Sequence, residues 1–449
     1  MGAAEYLGLL GTRTREILDQ GHPGSYPMSL AAATGLAADQ LARDDPAAAE
    51  LAGLCAFLAP EPVPVDLLTG AAAELPAELA ARAADPIAWR QTLTQVSGHA
   101  LARLDHRGLQ MHRLTQAILR NRLTPEQAAA TRQRAEAILA ASNPGNMTNP
   151  ATWPRWAQLM PHVLAADLAG TANRSLRWLA ISACGYLLGR GDTRSSYDLA
   201  ADLHPQWRQR LGDDEETVLA MTHQLTRTLH NLGRYAEARD LQQEVVTRAR
   251  RVLGEDHENA LVYANGLAVS LSLLGEVQAA RDLNQDTFER SRRVLGDDHP
   301  DTLATANNLA IDLRNLGELR AARDLNQDTF DRRRRVLGDD HPYTLASANN
   351  LAGDLRELGE LQAARDLNQD TFDRRRRVLG EDHPSTLRSA NNLASDLREL
   401  GEAQAARDLD QDTLERRRRV LGEDHPDTWR SADNLAADLR ALDETGHGA

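Results

Sequence analysis

Between Leu211 and Leu421 one 42-residue phrase is written again and again, and that spacing leaves the chain few folds to adopt. The pair Leu-Gly recurs at Leu211, Leu253, Leu295, Leu337, Leu379 and Leu421, each 42 residues from the last. Self-similarity at a fixed period of this size means that each unit is a supersecondary element unable to bury its own apolar face, so it must stack on its neighbours. The expected architecture is a mostly all-α, right-handed α-solenoid of helical hairpins, with function on the surface the stack creates.

The unit from His299 to Asp340 shows the physics. Leu303, Ala306, Leu309, Ala310, Leu313 and Leu316 fall at steps of three and four, which is one apolar helical stripe. Gly317 ends it, and Leu319, Ala322, Leu325, Thr329 and Phe330 begin a second stripe running to Val336 and Leu337. The short break Leu316-Gly317-Glu318 permits only an antiparallel hairpin, and small Ala310 and Ala322 let the two backbones approach. Each unit opens on Asp-His-Pro, with proline in the first turn where its missing N–H costs nothing.

These words (Asn-Asn-Leu-Ala, Leu-Gly-Glu, Ala-Ala-Arg, Leu-Gly-Asp-Asp-His-Pro) resemble the tetratricopeptide repeat in its long, kinesin-light-chain-like form. The resemblance covers Asp213 to Leu442. Ser175 to Gln209 reads as a degraded unit, and Pro426 to Leu442 as a lone first helix that caps the array.

Composition removes several function classes. A net charge of −14 gives a nucleic-acid partner no global electrostatic help. The sequence holds no lysine, so its 51 basic residues are arginines, and a phosphate-loop lysine, a Schiff base and a Ser-Lys nucleophile are excluded within these residues. Cys55 and Cys184 stand alone, in neither a disulfide framework nor a zinc pattern. No apolar stretch is long enough to span a bilayer, and the reading is cytoplasmic.

Ahead of the array, residues 1–25 read as a helix and joint. Residues 26–143 read as helices followed by a small hairpin, His99 to Asp105 and Leu109 to Leu114 around the turn His106-Arg107-Gly108, then further helices. The stretch DPAAAELAGLCAFLAPEPVPVDLL with MHRLTQAILR resembles the winged-helix segment that follows the nucleotide domain of bacterial NB-ARC proteins, signalling ATPases of the STAND class. In that family a Met-His-Asp motif sets its histidine beside bound ADP; here Met111 and His112 match and Arg113 replaces the aspartate. The resemblance implies that His112 contacts ADP or ATP only through a neighbouring NB-ARC nucleotide domain, in cis or in trans, and the sequence begins about where such a domain should end. Residues 144–212 are expected to hold a linker, a helix from Trp153 capping the front of the solenoid, and the degraded unit. Residues 213–443 form the array and 444–449 a disordered tail.

Candidate site residues follow the period. Asn265, Asn307, Asn349 and Asn391 recur, as do Asn308, Asn350, Asn392 and Asn434, and Arg314, Arg356, Arg398 and Arg440. Asn307, Ile311 and Arg314 share a helix face that should line a concave groove. An amide there can both donate to and accept from an extended peptide, a guanidinium can fork onto a carboxylate, and the family resemblance makes the Asn before Leu-Ala a peptide-backbone contact. Alternatively, these asparagines bridge adjacent repeats. The runs Arg332–Arg335, Arg374–Arg377 and Arg416–Arg419 pair with acids four residues earlier, as in Asp328–Arg332 and Asp331–Arg335. The series His257, His299, His341, His383 and His425 fits helix starts better than metal, because equivalent loops lie on the order of 10 Å apart. Arg113, Arg120 and Arg122 make a weak DNA footprint. No catalytic motif, metal site or bound cofactor is written here. The chain therefore reads as a non-enzymatic protein-interaction scaffold in signal transduction, the sensor part of an NB-ARC-type protein. The alternatives are a winged-helix DNA-binding regulator or a fragment of a complete STAND ATPase.

Overall fold

The computed structural model describes residues 30–147, 149–423 and 425–446. The helix and joint expected in residues 1–25 lie outside them. Among the described residues the chain forms 21 α-helices and one two-stranded hairpin, and it divides into two compact units, Met1–Met147 with Thr152–Ala183 and Thr148–Ala151 with Cys184–Ala449.

In the first unit, α1 (Leu30–Asp44), α2 (Pro46–Cys55), α3 (Val65–Gly70), α4 (Ala77–Ala83) and α5 (Pro86–Gly98) precede β1 (Arg103–Asp105) and β2 (Gly108–Gln110). Then come α6 (Arg113–Asn121), α7 (Pro125–Ala141) and α8 (Trp153–Ala165). Local chemistry places the starts: Asp45 and Asp85 cap α2 and α5 with proline at the next position, and Thr124 with Gln127 forms a capping box on α7. The hairpin occurs where the sequence puts it but is shorter. His99 caps the end of α5, His112 starts α6, and Arg103 pairs with Gln110.

Leu41, Leu51, Leu67, Leu79, Leu109 and Trp156 are fully buried here. Gln116 is a buried polar strut that the sequence reading missed. Its amide Nε2 donates to the carbonyls of Cys55, Leu58 and Ala59, satisfying the open end of α2. The helix from Trp153, expected to cap the solenoid, packs within this unit: the Ala59 N–H donates to His162 Nδ1 at 3.2 Å, and His162 Nε2 meets the Pro62 carbonyl at 3.3 Å.

The boundary falls inside α9 (Arg174–Gly189). In the second unit α10 (Thr193–Leu211) follows Gly191, and the pair occupies the place of the degraded repeat, with Ser196 Oγ donating to the Cys184 carbonyl. Then come α11 (Glu216–Asn231) and α12 (Tyr235–Leu253), α13 (Glu258–Leu273) and α14 (Val277–Val294), α15 (Pro300–Asn315) and α16 (Leu319–Leu337). The array continues with α17 (Pro342–Glu357) and α18 (Leu361–Leu379), α19 (Pro384–Glu399) and α20 (Ala403–Leu421), and the unpaired α21 (Pro426–Gly446). This last helix runs through Gly446, into the stretch expected to be a tail, while residues 447–449 lie outside the described ones.

Each hairpin turns on a glycine. Gly317 sits at φ 82°, the Glu318 N–H returns to the Leu313 carbonyl at 2.9 Å, and only a residue without Cβ adopts this angle at no cost. The histidines act as helix starts. Nδ1 of His257, His299, His341, His383 and His425 accepts the backbone N–H two residues on, at 3.1–3.3 Å.

Curvature follows from which helices touch. Successive first helices (α11, α13, α15, α17, α19, α21) pack on one another as well as on their second helices, and no comparable contact joins successive second helices. The first helices therefore lie on the inside of the bend. The coil is tight enough to meet itself. His383 Nε2 lies 2.9 Å from the Gly189 carbonyl and His425 Nε2 3.4 Å from that of Asn231, each across 194 residues. A Cβ on Gly191 would come within 2.8 Å of Pro384 Cδ.

Candidate functional site

The Asn-Asn pair at the heart of each unit splits into two roles. Asn307, Asn349 and Asn391 are 5–8% exposed and hold neighbouring units together. The amide of Asn349 donates to Asn368 Oδ1 at 2.9 Å and its oxygen accepts from Ser389 Oγ of the next unit at 2.8 Å. Ser347 bonds Asn307 in the same way, and Ser431 bonds Asn391. Asn265 joins Asn284 and Asn308.

The arginines expected in the groove serve the same seam. Arg314 and Arg356 each donate to a buried carboxylate of the next unit, Asp354 and Asp396, at 3.1 Å, and Arg398 does so to Asp438. Asp354 and Asp396 also accept from Asn326 and Asn368. Burial raises the Asp354 and Asp396 carboxyls, and their amide and guanidinium partners pull the other way. Arg440 is exposed.

The arginine runs, whose repetition fits a solvated or inter-repeat role, supply a third line of contacts across the seam. Arg333, Arg375 and Arg417, one from each four-arginine run, are buried, and each donates both to a backbone carbonyl and to a serine of the next unit (Ser347, Ser389, Ser431). The arginines flanking them lace the outer side. Arg332 bridges Asp328 and Asp298, and Arg335 forks onto Asp298 at 2.7 Å. The expected Asp331–Arg335 pair is not made, because Asp331 accepts from Gln327 and Asp298 of the preceding loop reaches Arg335 first. Exposed pairs of this kind contribute little singly.

What stays open is the inner stripe of the first helices, spaced i, i+4, i+7, i+11. It reads Val262, Gly266, Val269, Leu273, then Ala304, Asn308, Ile311, Asn315, then Ala346, Asn350, Gly353, Glu357, then Arg388, Asn392, Ser395, Glu399. None of these residues is buried, although their helix neighbours are. Asn350, Asn392 and Asn434 are half-buried, and their side-chain amides have no hydrogen-bond partner among the described residues. The stripe is apolar at Val262, Val269 and Leu273 and becomes cationic at Arg388 and Arg430, where earlier units carry Ala304 and Ala346. Surrounding protein and the neighbouring Arg430 lower the Arg388 pKa, and Asp427 acts the other way. Arg430 pairs with Asp427 at 3.3 Å, and both guanidiniums are exposed, where each can fork onto an anion.

In the first unit His112 caps α6, its Nδ1 accepting the Leu114 N–H at 3.3 Å. It borders a cleft of about 670 Å³ with Glu61, Arg103, Gln110, Arg113 and Thr115. Of the proposed DNA contacts, Arg120 donates to the Ala56 carbonyl and Arg122 to Asp39, which leaves Arg113 outward. Burial pushes both the Cys55 and Cys184 thiols up to about 12, so neither is a reactive thiolate near neutral pH.

Stacked helical hairpins with an open inner stripe define a repeat scaffold of the protein-interaction class. Residues 302–343, 344–385 and 386–427 match one tetratricopeptide repeat model and residues 217–292 another, so this stretch carries tetratricopeptide repeats. No catalytic family is indicated. A search among curated proteins finds no match. Among solved structures, the chain is similar to a repeat array of kinesin-light-chain type from Podosopora anserina, with 27% identity, 45% of this chain and 96% of that one covered, and a TM-score of 0.38. It is also similar to a STAND protein with a tetratricopeptide repeat sensor from Pyrococcus horikoshii, with 10% identity, 87% and 59% covered, and a TM-score of 0.45. No helix among the described residues is long and apolar enough to cross a membrane.

Proposed function

We propose that the inner stripe of the second unit binds an extended peptide whose carboxylate, from an acidic side chain or the chain end, lies between Arg388 and Arg430. The carrying observation is the row of unpartnered amides at Asn350, Asn392 and Asn434. A half-buried amide with neither donor nor acceptor used is a backbone-recognition group waiting for a ligand. The apolar end at Val269, Leu273 and Ile311 takes the peptide's hydrophobic side chains.

Fluorescence anisotropy with a labelled peptide library tests this reading. Acidic-ended peptides are expected to bind, and Asn350→Ala with Asn392→Ala is expected to weaken them on the order of tenfold or more. Removing both Arg388 and Arg430 should cost at least as much, and only for peptides that carry the carboxylate. Equal affinity in all variants would sink the groove.

In the wider reading the array is the sensor half of an NB-ARC-type signalling protein and the first unit relays its state. The support is the Met111-His112 resemblance together with the cleft that His112 borders. A phosphate-loop sequence upstream in the parent reading frame is the expected finding, and its absence would remove this wider role while leaving peptide binding intact.

A further inference from the structure

We propose that Asp410 and Asp438 form a proton-operated latch that fixes the terminal helix α21, and with it the Arg430 wall of the groove. The seam shows why. At three earlier junctions an asparagine of the second helix donates to an aspartate of the next first helix: Asn284 to Asp312, Asn326 to Asp354 and Asn368 to Asp396, at 2.5–2.7 Å. At the last junction the asparagine is replaced by Asp410, facing Asp438, and both are 0% exposed. Oδ2 of each is buried with no donor among the described residues, at the position where the earlier pairs hold an N–H. Two facing carboxylate oxygens can satisfy each other only by sharing a proton.

The surroundings do not remove that need. From α19, Asn391 donates to Asp410 and Arg398 pairs with Asp438; α21 contributes Asp438 itself; and on its own helix Asp410 has Arg417 within electrostatic reach. Burial is the largest influence and raises the Asp410 carboxyl, Asp438 raises it further, Asn391 and Arg398 oppose, and the net effect pushes it up to about 7.

The sign follows. The folded pKa lies above the ordinary 3.8, so the docked state binds the proton more tightly than the undocked one. Docking is therefore strongest in acid, weakens as pH climbs towards about 7, and stays at its weaker level above that.

Hydrogen exchange of the α21 amides in the full chain, corrected for intrinsic rates, tests the latch. Protection across residues 428–442 is expected to fall on the order of tenfold per pH unit between pH 5.5 and 7. Asp410→Asn restores the residue of the earlier junctions and should abolish that fall, as should Asp438→Asn. A pH-independent α21 in the native chain, or the same slope in both variants, overturns the proposal. The consequence for the groove rests on the peptide-binding reading and has its own readout, affinity for an acidic peptide at pH 5.5 and 7.5. If exchange responds to pH and affinity does not, the latch stands and its coupling to the groove fails, whereas no binding of acidic peptides at either pH sinks the groove reading itself.

Discussion

Asp396→Ala is expected to cost the array about 3 kcal/mol, because one buried carboxylate at the α18–α19 seam serves two donors. It accepts from Asn368 Nδ2 at 2.5 Å and from Arg356 at 3.1 Å, and it is 0% exposed. Removing it leaves the Asn368 amide, itself fully buried, with an unused donor, and leaves the half-buried Arg356 only its longer contact to Glu399 at 3.7 Å. The solvent access of Arg356 keeps the cost towards the lower end for a broken buried pair. Because repeats couple to nearest neighbours, the loss should appear in urea unfolding as an early transition confined to the α17–α21 end, while α11–α14 keeps its midpoint. A uniform shift of less than about 0.5 kcal/mol would show that the seam does not depend on this carboxylate.

Gly108→Ala is expected to be as damaging in the first unit. Gly108 has φ 132°, and a Cβ there would lie 2.0 Å from the Val63 carbonyl oxygen. That oxygen accepts the Leu109 N–H at 3.0 Å, and the Val63 N–H donates back at 2.9 Å, so the methyl would part the contact that ties the hairpin to the chain. Val63 and Leu109 are 2% and 1% exposed, and separating them opens the core. A loss of about 3 kcal/mol, or roughly 6–12 °C in the first unit's melting temperature, is the expected reading by calorimetry. An unchanged transition would mean that the turn re-forms at negative φ.

The repeat itself was legible because period, glycine turns and His-Pro starts are local signals, and each acts where it stands. Gly317 stops a helix whatever surrounds it, and His299 caps the next one. The two asparagines of Asn-Asn-Leu-Ala show where local reading ends. Asn349 and Asn350 differ by about 100° around one helix, and only the position of the next unit's Ser389 decides which is buried. The same holds for the arginines. The Asp328–Arg332 pair is visible at four residues, but the Asp298 partner of Arg332 and Arg335 sits 34 and 37 residues away, across a junction.

Arg388 and Arg430 escaped notice for a different reason. The period carries what recurs in every unit, whereas these two appear only in the last units, at a position held by Ala304 and Ala346 before them. The short hairpin has a plainer cause, since a two-stranded ribbon this small persists only where Val63 and the core beneath support it.

One consequence of the coil meeting itself concerns copy number. Gly191 is met by the His383-Pro384 loop, and an equivalent His-Pro loop stands at His299 and His341. A version lengthened by a single unit ahead of that loop would bring the one now at His341-Pro342 into the same place and offer the same imidazole to the Gly189 carbonyl. The gene can thus gain or shed interchangeable modules by recombination while the stacking between successive turns is remade each time from an identical part.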